Sequence, residues 1–140
     1  MASKKERILT DAVQEPGPKL WSNCLRVGDT IYISGLTSRA ADGVTILGAD
    51  EYEQSRLIFS KMKAYVGAAG ACMDDIVQMV IYLTDIRKNT LVWRAREEFF
   101  EGDYPTCALV EVSGLAKPEI LVEISATAIA GCSPESNNAG

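Results

Sequence analysis

The run Asp75 to Thr84, DIVQMVIYLT, constrains the fold more than any other stretch of the chain. It is nearly all apolar and rich in β-branched residues, which fit a pleated sheet better than a helix. It suits a central strand buried on both faces. Such a strand needs neighbours along both edges for its backbone groups, and further layers over its faces. The rest of the sequence has to supply them.

Candidate neighbours are readable on both sides. A short strand is expected over Arg7 to Leu9, followed by a loop punctuated by Pro16-Gly17-Pro18. Trp21 to Val27 and Thr30 to Ser34 flank Gly28-Asp29, a two-residue hairpin signal. Residues 35–49 read as a loop. Residues 50–69 read as a helix whose apolar stripe is Ile58, Met62, Tyr65, Val66 and Ala69, with Glu51, Glu53, Arg56, Lys61 and Lys63 as polar positions and Gly70 as a stop. Asp85 can cap a second helix running to about Glu101. Cys107 to Val112 reads as a buried strand. Glu119 to Ala130 reads as an alternating strand, with Ile120, Val122, Ile124, Ala126 and Ala128 on one face and Leu121, Glu123, Ser125, Thr127 and Ile129 on the other. The order β-β-β-α-β-α-β-β predicts an α+β two-layer sandwich, with two helices on one face of a mixed sheet. The opposite sheet face is left uncovered, and self-association is the expected remedy. Residues 1–140 read as a single domain with loose termini at about 1–5 and 132–140.

Composition removes several kinds of chemistry. The chain has no histidine, so Ser-His-Asp and Cys-His catalysis and His-based zinc sites are excluded within it. The net charge of −5 and the lack of a clustered basic run argue against a nucleic-acid partner. Cys24, Cys72, Cys107 and Cys132 have no metal-ligand or CxxC spacing, and no signal peptide is evident. They are read as reduced thiols of a cytoplasmic protein. No apolar run reaches the length of a membrane span, and no metal is expected.

Three places can carry chemistry. Glu123 is a carboxylate inside an otherwise apolar strand; it is either functional with a shifted pKa or simply faces solvent. Ser34-Gly35 closes the TIYISG strand and can offer a hydroxyl and an accessible backbone N–H, unless it is only a turn. Cys107 opens the fifth strand; it is either a small core residue or a thiol activated by a nearby cation. Trp21 and Trp93 are the only tryptophans, suited to core or interface packing, and Arg94 and Arg96 flank Trp93.

The segments WSNCLRVGDTIYISG, AAGACMDDIVQMVIYLTDI, REEFFEGDYPT and ILVEISATAIA together resemble the Rid family, the reactive intermediate deaminases also called the YjgF family. The resemblance runs from about Gly17 to Ala130. It implies a chorismate-mutase-like subunit, a homotrimer with a barrel-like core, and inter-subunit clefts that bind small carboxylates. It also implies hydrolysis of imines and enamines such as 2-aminoacrylate, without an organic cofactor. On this resemblance Glu123 is the residue that orients or activates water, and Ser34 and Gly35 are the substrate-binding Ser-Gly. Trp21 stands where many members have tyrosine, and Trp93 where they have asparagine. Cys107 stands where deaminating members hold the substrate carboxylate with arginine. A thiol cannot replace a bidentate guanidinium. The loss is expected to cost on the order of 2–5 kcal/mol in binding, which makes 2-aminoacrylate a poor substrate. The expectation is therefore a small-molecule hydrolase of altered specificity. Glu123 is its catalytic carboxylate, Cys107 a hydrogen-bonding wall or nucleophile, and the ligand is larger and more apolar, held between Trp21 and Trp93. A non-catalytic metabolite-binding trimer is the alternative.

Overall fold

In a computed structural model, which describes residues 3–134, the chain forms one six-stranded sheet with two helices on one side. The strands are β1 (Lys5–Arg7), β2 (Cys24–Val27), β3 (Thr30–Leu36), β4 (Ile76–Leu83), β5 (Thr106–Glu111) and β6 (Val122–Ile129). The helices are α1 (Glu51–Ala68) and α2 (Asn89–Arg96). Spatial order is β1-β2-β3-β6-β4-β5, with only β4 and β5 parallel. Both the element order and the mixed two-layer architecture match the expectation from sequence.

Local chemistry explains the elements. Val27 pairs with Thr30 across Gly28-Asp29, and Gly28 has φ +60, the left-handed conformation such a tight turn needs. Asp50 caps α1 by accepting from the Glu53 backbone N–H at 2.8 Å, while the Glu53 carboxylate accepts from Ala49 at 2.7 Å. Gly70, at φ +84, ends the helical turn as expected. The predicted α1 stripe is buried throughout. Two of its supposed polar positions are not solvent-facing, however. Glu51 is buried, and Lys61 is half-buried with its ammonium donating to the Thr37 and Arg39 carbonyls at 2.7 Å each.

Several boundaries and one burial expectation need correction. The first strand falls at Lys5–Arg7 rather than 7–9, although Ile8 still donates to the Cys24 carbonyl. The second begins at Cys24 rather than Trp21, and the Trp21 indole N–H donates to the Asn23 side chain just before it. Asp85 caps a short 3-10 turn at Ile86–Lys88, and α2 stops at Arg96, not Glu101. β4 is fully buried only at Ile76, Met79, Ile81 and Leu83, not on both faces. β5 is an exposed edge strand, not a buried one. The C-terminal end is also tied in further than expected: Ser133 is buried and its N–H donates to Asp75 at 2.9 Å. Residues 1–2 and 135–140 of the expected loose termini lie outside the described residues.

The core lies between the helices and one sheet face. Phe59 at its centre is fully buried, 5.6 Å from the Phe99 ring and 5.9 Å, edge-on, from Phe100. Phe59→Ala is expected to cost about 3–5 kcal/mol of stability, read as a lowered urea midpoint, because three rings lose their common contact. The other sheet face is uncovered, with Tyr32, Val110 and Ile129 exposed on it.

Candidate functional site

Glu123 lies on β6 opposite Tyr82 of β4, on the uncovered side of the sheet. Its strand is set in place from below by Gln54 of α1. The Gln54 amide donates to the Glu119 carbonyl at 2.9 Å and accepts from the Leu121 N–H at 2.9 Å. The β3–β6 register is interrupted between Ile33 and Leu36, so Gly35 sits in an irregular stretch beside Glu123. A Cβ built on Gly35 would lie 2.4 Å from Glu123 Oε2. The carboxylate therefore rests on the bare backbone of Gly35, a position only glycine leaves open.

No hydrogen bond or ion pair engages Glu123 among the described residues, and burial alone pushes its pKa above the ordinary glutamate range. A half-buried carboxyl without a cation or donor is poised to exchange a proton with whatever enters beside it. It lines a cavity of about 380 Å³ together with Glu15, Trp21, Gly35, Arg39 and Lys61. Lys61 has its pKa lowered to about 8, first by burial and then by the charge of Arg39. Gly35→Ala is expected to push the Glu123 carboxylate out of its place beside the cavity, because the added Cβ would overlap Oε2. The melting temperature should change little, because the displaced atoms are the end of a flexible side chain.

Trp21 flanks this cavity and is 55% exposed. Its indole N–H donates to Asn23 Oδ1 at 3.0 Å, and Asn23 donates in turn to the Tyr65 hydroxyl at 2.9 Å. The Tyr65 hydroxyl donates to Glu15. Asn23, Tyr65 and Glu15 were not singled out from sequence. Tyr65 was legible only as part of an apolar stripe, and nothing in the spacing shows that its hydroxyl would reach two residues more than 40 positions away.

Ser34 has a different place from the one expected. Its hydroxyl donates to the Ser22 carbonyl at 2.6 Å and its N–H to Asn23 at 2.9 Å. Both donors are used inside the chain, so Ser34 pins β3 to the segment carrying Trp21. Gly35 is the member of the pair that borders the cavity.

Cys107 and Trp93 lie elsewhere. Cys107 pairs with Met79, whose side chain is on the helix-covered face, and laterally paired residues share a face. Cys107 is nonetheless exposed, because β5 is the edge and α2 ends beside it. Burial pushes its thiol pKa up, and the neighbouring Arg96 offsets only part of this, so Cys107 stays a thiol at neutral pH. Trp93 on α2 is 39% exposed. The Arg96 guanidinium lies 5.7 Å from the Trp93 ring and 5.2 Å from the Tyr104 ring.

The expected site residues thus form two groups. Trp21, Gly35 and Glu123 make one, and Trp93 and Cys107 the other. Cys107 and Glu123 are separated by two strand spacings and three residues of register, about 14 Å between backbones, and they point to opposite faces. One chain cannot bring them to a common small ligand. Among the described residues, no group of three or more His, Cys, Asp or Glu could hold a metal ion, and no helix is long and apolar enough to cross a membrane.

The sequence profile of the family described as Endoribonuclease L-PSP matches residues 14–130. A 2-iminobutanoate/2-iminopropanoate deaminase of Dermatophagoides farinae is 34% identical over 119 residues, covering 82% of this chain and 89% of its own. A protein from Pseudomonas aeruginosa superposes with a TM-score of 0.81 at 36% identity, over 93% of this chain and 94% of its own. Escherichia coli TdcF, solved with bound serine, superposes with a TM-score of 0.77 at 26% identity, over 89% and 98% of the two chains.

Proposed function

The chain belongs to the endoribonuclease L-PSP family, which includes the Rid proteins, and from that premise we propose that it hydrolyses imines of 2-oxo acids in clefts between copies of itself. Glu123 supports the chemistry: among the described residues it is the one carboxyl with a raised pKa and no partner that borders a cavity. As a general base it takes a proton from water as the oxygen attacks the imine carbon. As a general acid it returns that proton to the nitrogen, giving a carbinolamine, and it then relays the hydroxyl proton to the same nitrogen as the C–N bond breaks. The C=N bond is replaced by C=O, and one water is consumed for each ammonia released.

The composite cleft follows from the split between the two residue groups. Each copy would present Glu123, Gly35 and Trp21 to the Trp93–Cys107 edge of a neighbour. A closed ring of three copies, a homotrimer, satisfies such a head-to-tail contact and covers the open sheet face. The relative named an iminobutanoate/iminopropanoate deaminase and the serine-bound neighbour support a small amino- or imino-acid ligand. The two exposed tryptophans favour one with a long apolar or aromatic chain over 2-aminoacrylate. Cys107 serves as a wall of the cleft, not as its nucleophile. With four free thiols, we place the protein in the cytoplasm.

A ribonuclease activity fits the surface poorly. The chain is acidic, has no histidine, and spends Arg7, Arg26, Arg56 and Arg87 on its own carboxylates. The test is ammonia release from 2-imino-3-phenylpropanoate, generated from L-phenylalanine by an amino-acid oxidase. Purified protein should accelerate the release, and more so than for 2-aminoacrylate. If no imine responds, the non-catalytic, metabolite-binding trimer is the better reading.

A further inference from the structure

Arg96 is the unusual cation of this surface. Arg7, Arg26, Arg56 and Arg87 each face a carboxylate of the chain, and Arg94 lies 4.0 Å from the Tyr52 ring. Arg96 has no ion pair among the described residues, and its Nε is sealed from solvent without any hydrogen-bond partner. A buried guanidinium N–H left unpaired is costly, and native structures seldom leave one without a reason. The side chain is not free to swing into water, because the Trp93 and Tyr104 rings pack against it. It ends beside Cys107 on the open β5 edge, where Thr106, Cys107 and Ala108 are exposed. A planar, permanently charged fork, packed against two rings, hydrogen-bonded to the Cys107 thiol and without a carboxylate partner among the described residues, is built to receive a planar anion at this accessible edge.

We propose that Arg96 binds the ligand's carboxylate in the composite cleft, from α2 rather than from the sheet. This rests on the inter-copy cleft of the preceding subsection and adds to it the group that recognises the acid. Because the guanidinium is carried by the helix and flanked by rings, the acid it holds is one whose remaining chain is long enough to reach Glu123 of the neighbouring copy. Arg96 is on this basis the specificity-determining residue, and Cys107 leaves the space through which it acts.

Isothermal titration of the assembled protein with phenylpyruvate and with phenylpyruvamide, its neutral amide, tests this. The unaltered protein should bind the acid at least about tenfold more tightly than the amide. Arg96→Gln should erase that preference while the assembled mass stays unchanged. Arg96→Lys should keep part of it. The proposal is overturned if Arg96→Gln retains the preference or if the unaltered protein has none. It is equally overturned if Arg96→Gln alters the assembled mass, since Arg96 would then pair with a neighbour's carboxylate. Glu123→Gln, titrated alongside, should keep the acid preference and lose turnover. Turnover persisting in that variant sinks the catalytic reading and leaves the binding result standing.

Discussion

Glu123→Gln is expected to lower ammonia release from 2-imino-3-phenylpropanoate by about 10² to 10⁴-fold at pH 7, the usual worth of a positioned general acid–base. Glutamine keeps the shape and cannot exchange a proton. The same change should raise the melting temperature at pH 7, because burial disfavours the charged form of Glu123 and glutamine carries no charge. The sign follows from proton linkage. Glu123 has its folded pKa above the unfolded one, so the native protein binds more protons, and ionisation costs stability as pH rises through the folded value. The stability gain of the glutamine variant is therefore present at neutral pH and vanishes below the ordinary glutamate value of 4.5. In the unaltered protein, turnover should rise with pH through an inflection above that ordinary value, as the base form appears. Activity lost without any gain in stability would mean that the residue works by a structural route.

Much of this fold could be read directly. The hairpin at Gly28-Asp29, the buried α1 stripe and the alternation of β6 each follow from local periodicity and turn chemistry. The site was legible only by residue type. Glu123 stood out because a carboxylate interrupts an apolar strand. Its closeness to Gly35 was not legible, because it depends on how β3 and β6 fall out of register. Cys107 was misread as belonging to a buried strand, because an apolar run does not show whether a strand is central or at an edge. Arg96 appeared only as one of two arginines flanking a tryptophan. Its distinguishing features, two rings and an unpaired Nε, come from the chain reversal between α2 and β5, which brings Tyr104 back beside it.

Co-expressing two inactive variants should restore activity to about a quarter of the unaltered protein's. One variant is Glu123→Gln. The other is Cys107→Glu, which sets a carboxylate beside the place where the acid group would lie, at an exposed edge position where folding tolerates it. In a head-to-tail ring each cleft takes Glu123 from one copy and the β5 edge from the next. With equal, random mixing, half of the clefts have a working Glu123, and half of those meet an unaltered edge, so about one in four is complete. If both groups came from the same chain, every cleft would carry a defect and the mixture would stay as inactive as its parents. The roughly 14 Å gap and the opposed faces of Cys107 and Glu123 lead to the first outcome. Activity in the mixture no higher than the parents' would refute the shared cleft, even if each single variant behaved as expected. Mixing the two purified proteins without dissociation provides the control: activity should appear only as subunits exchange, at the rate at which hybrid assemblies form.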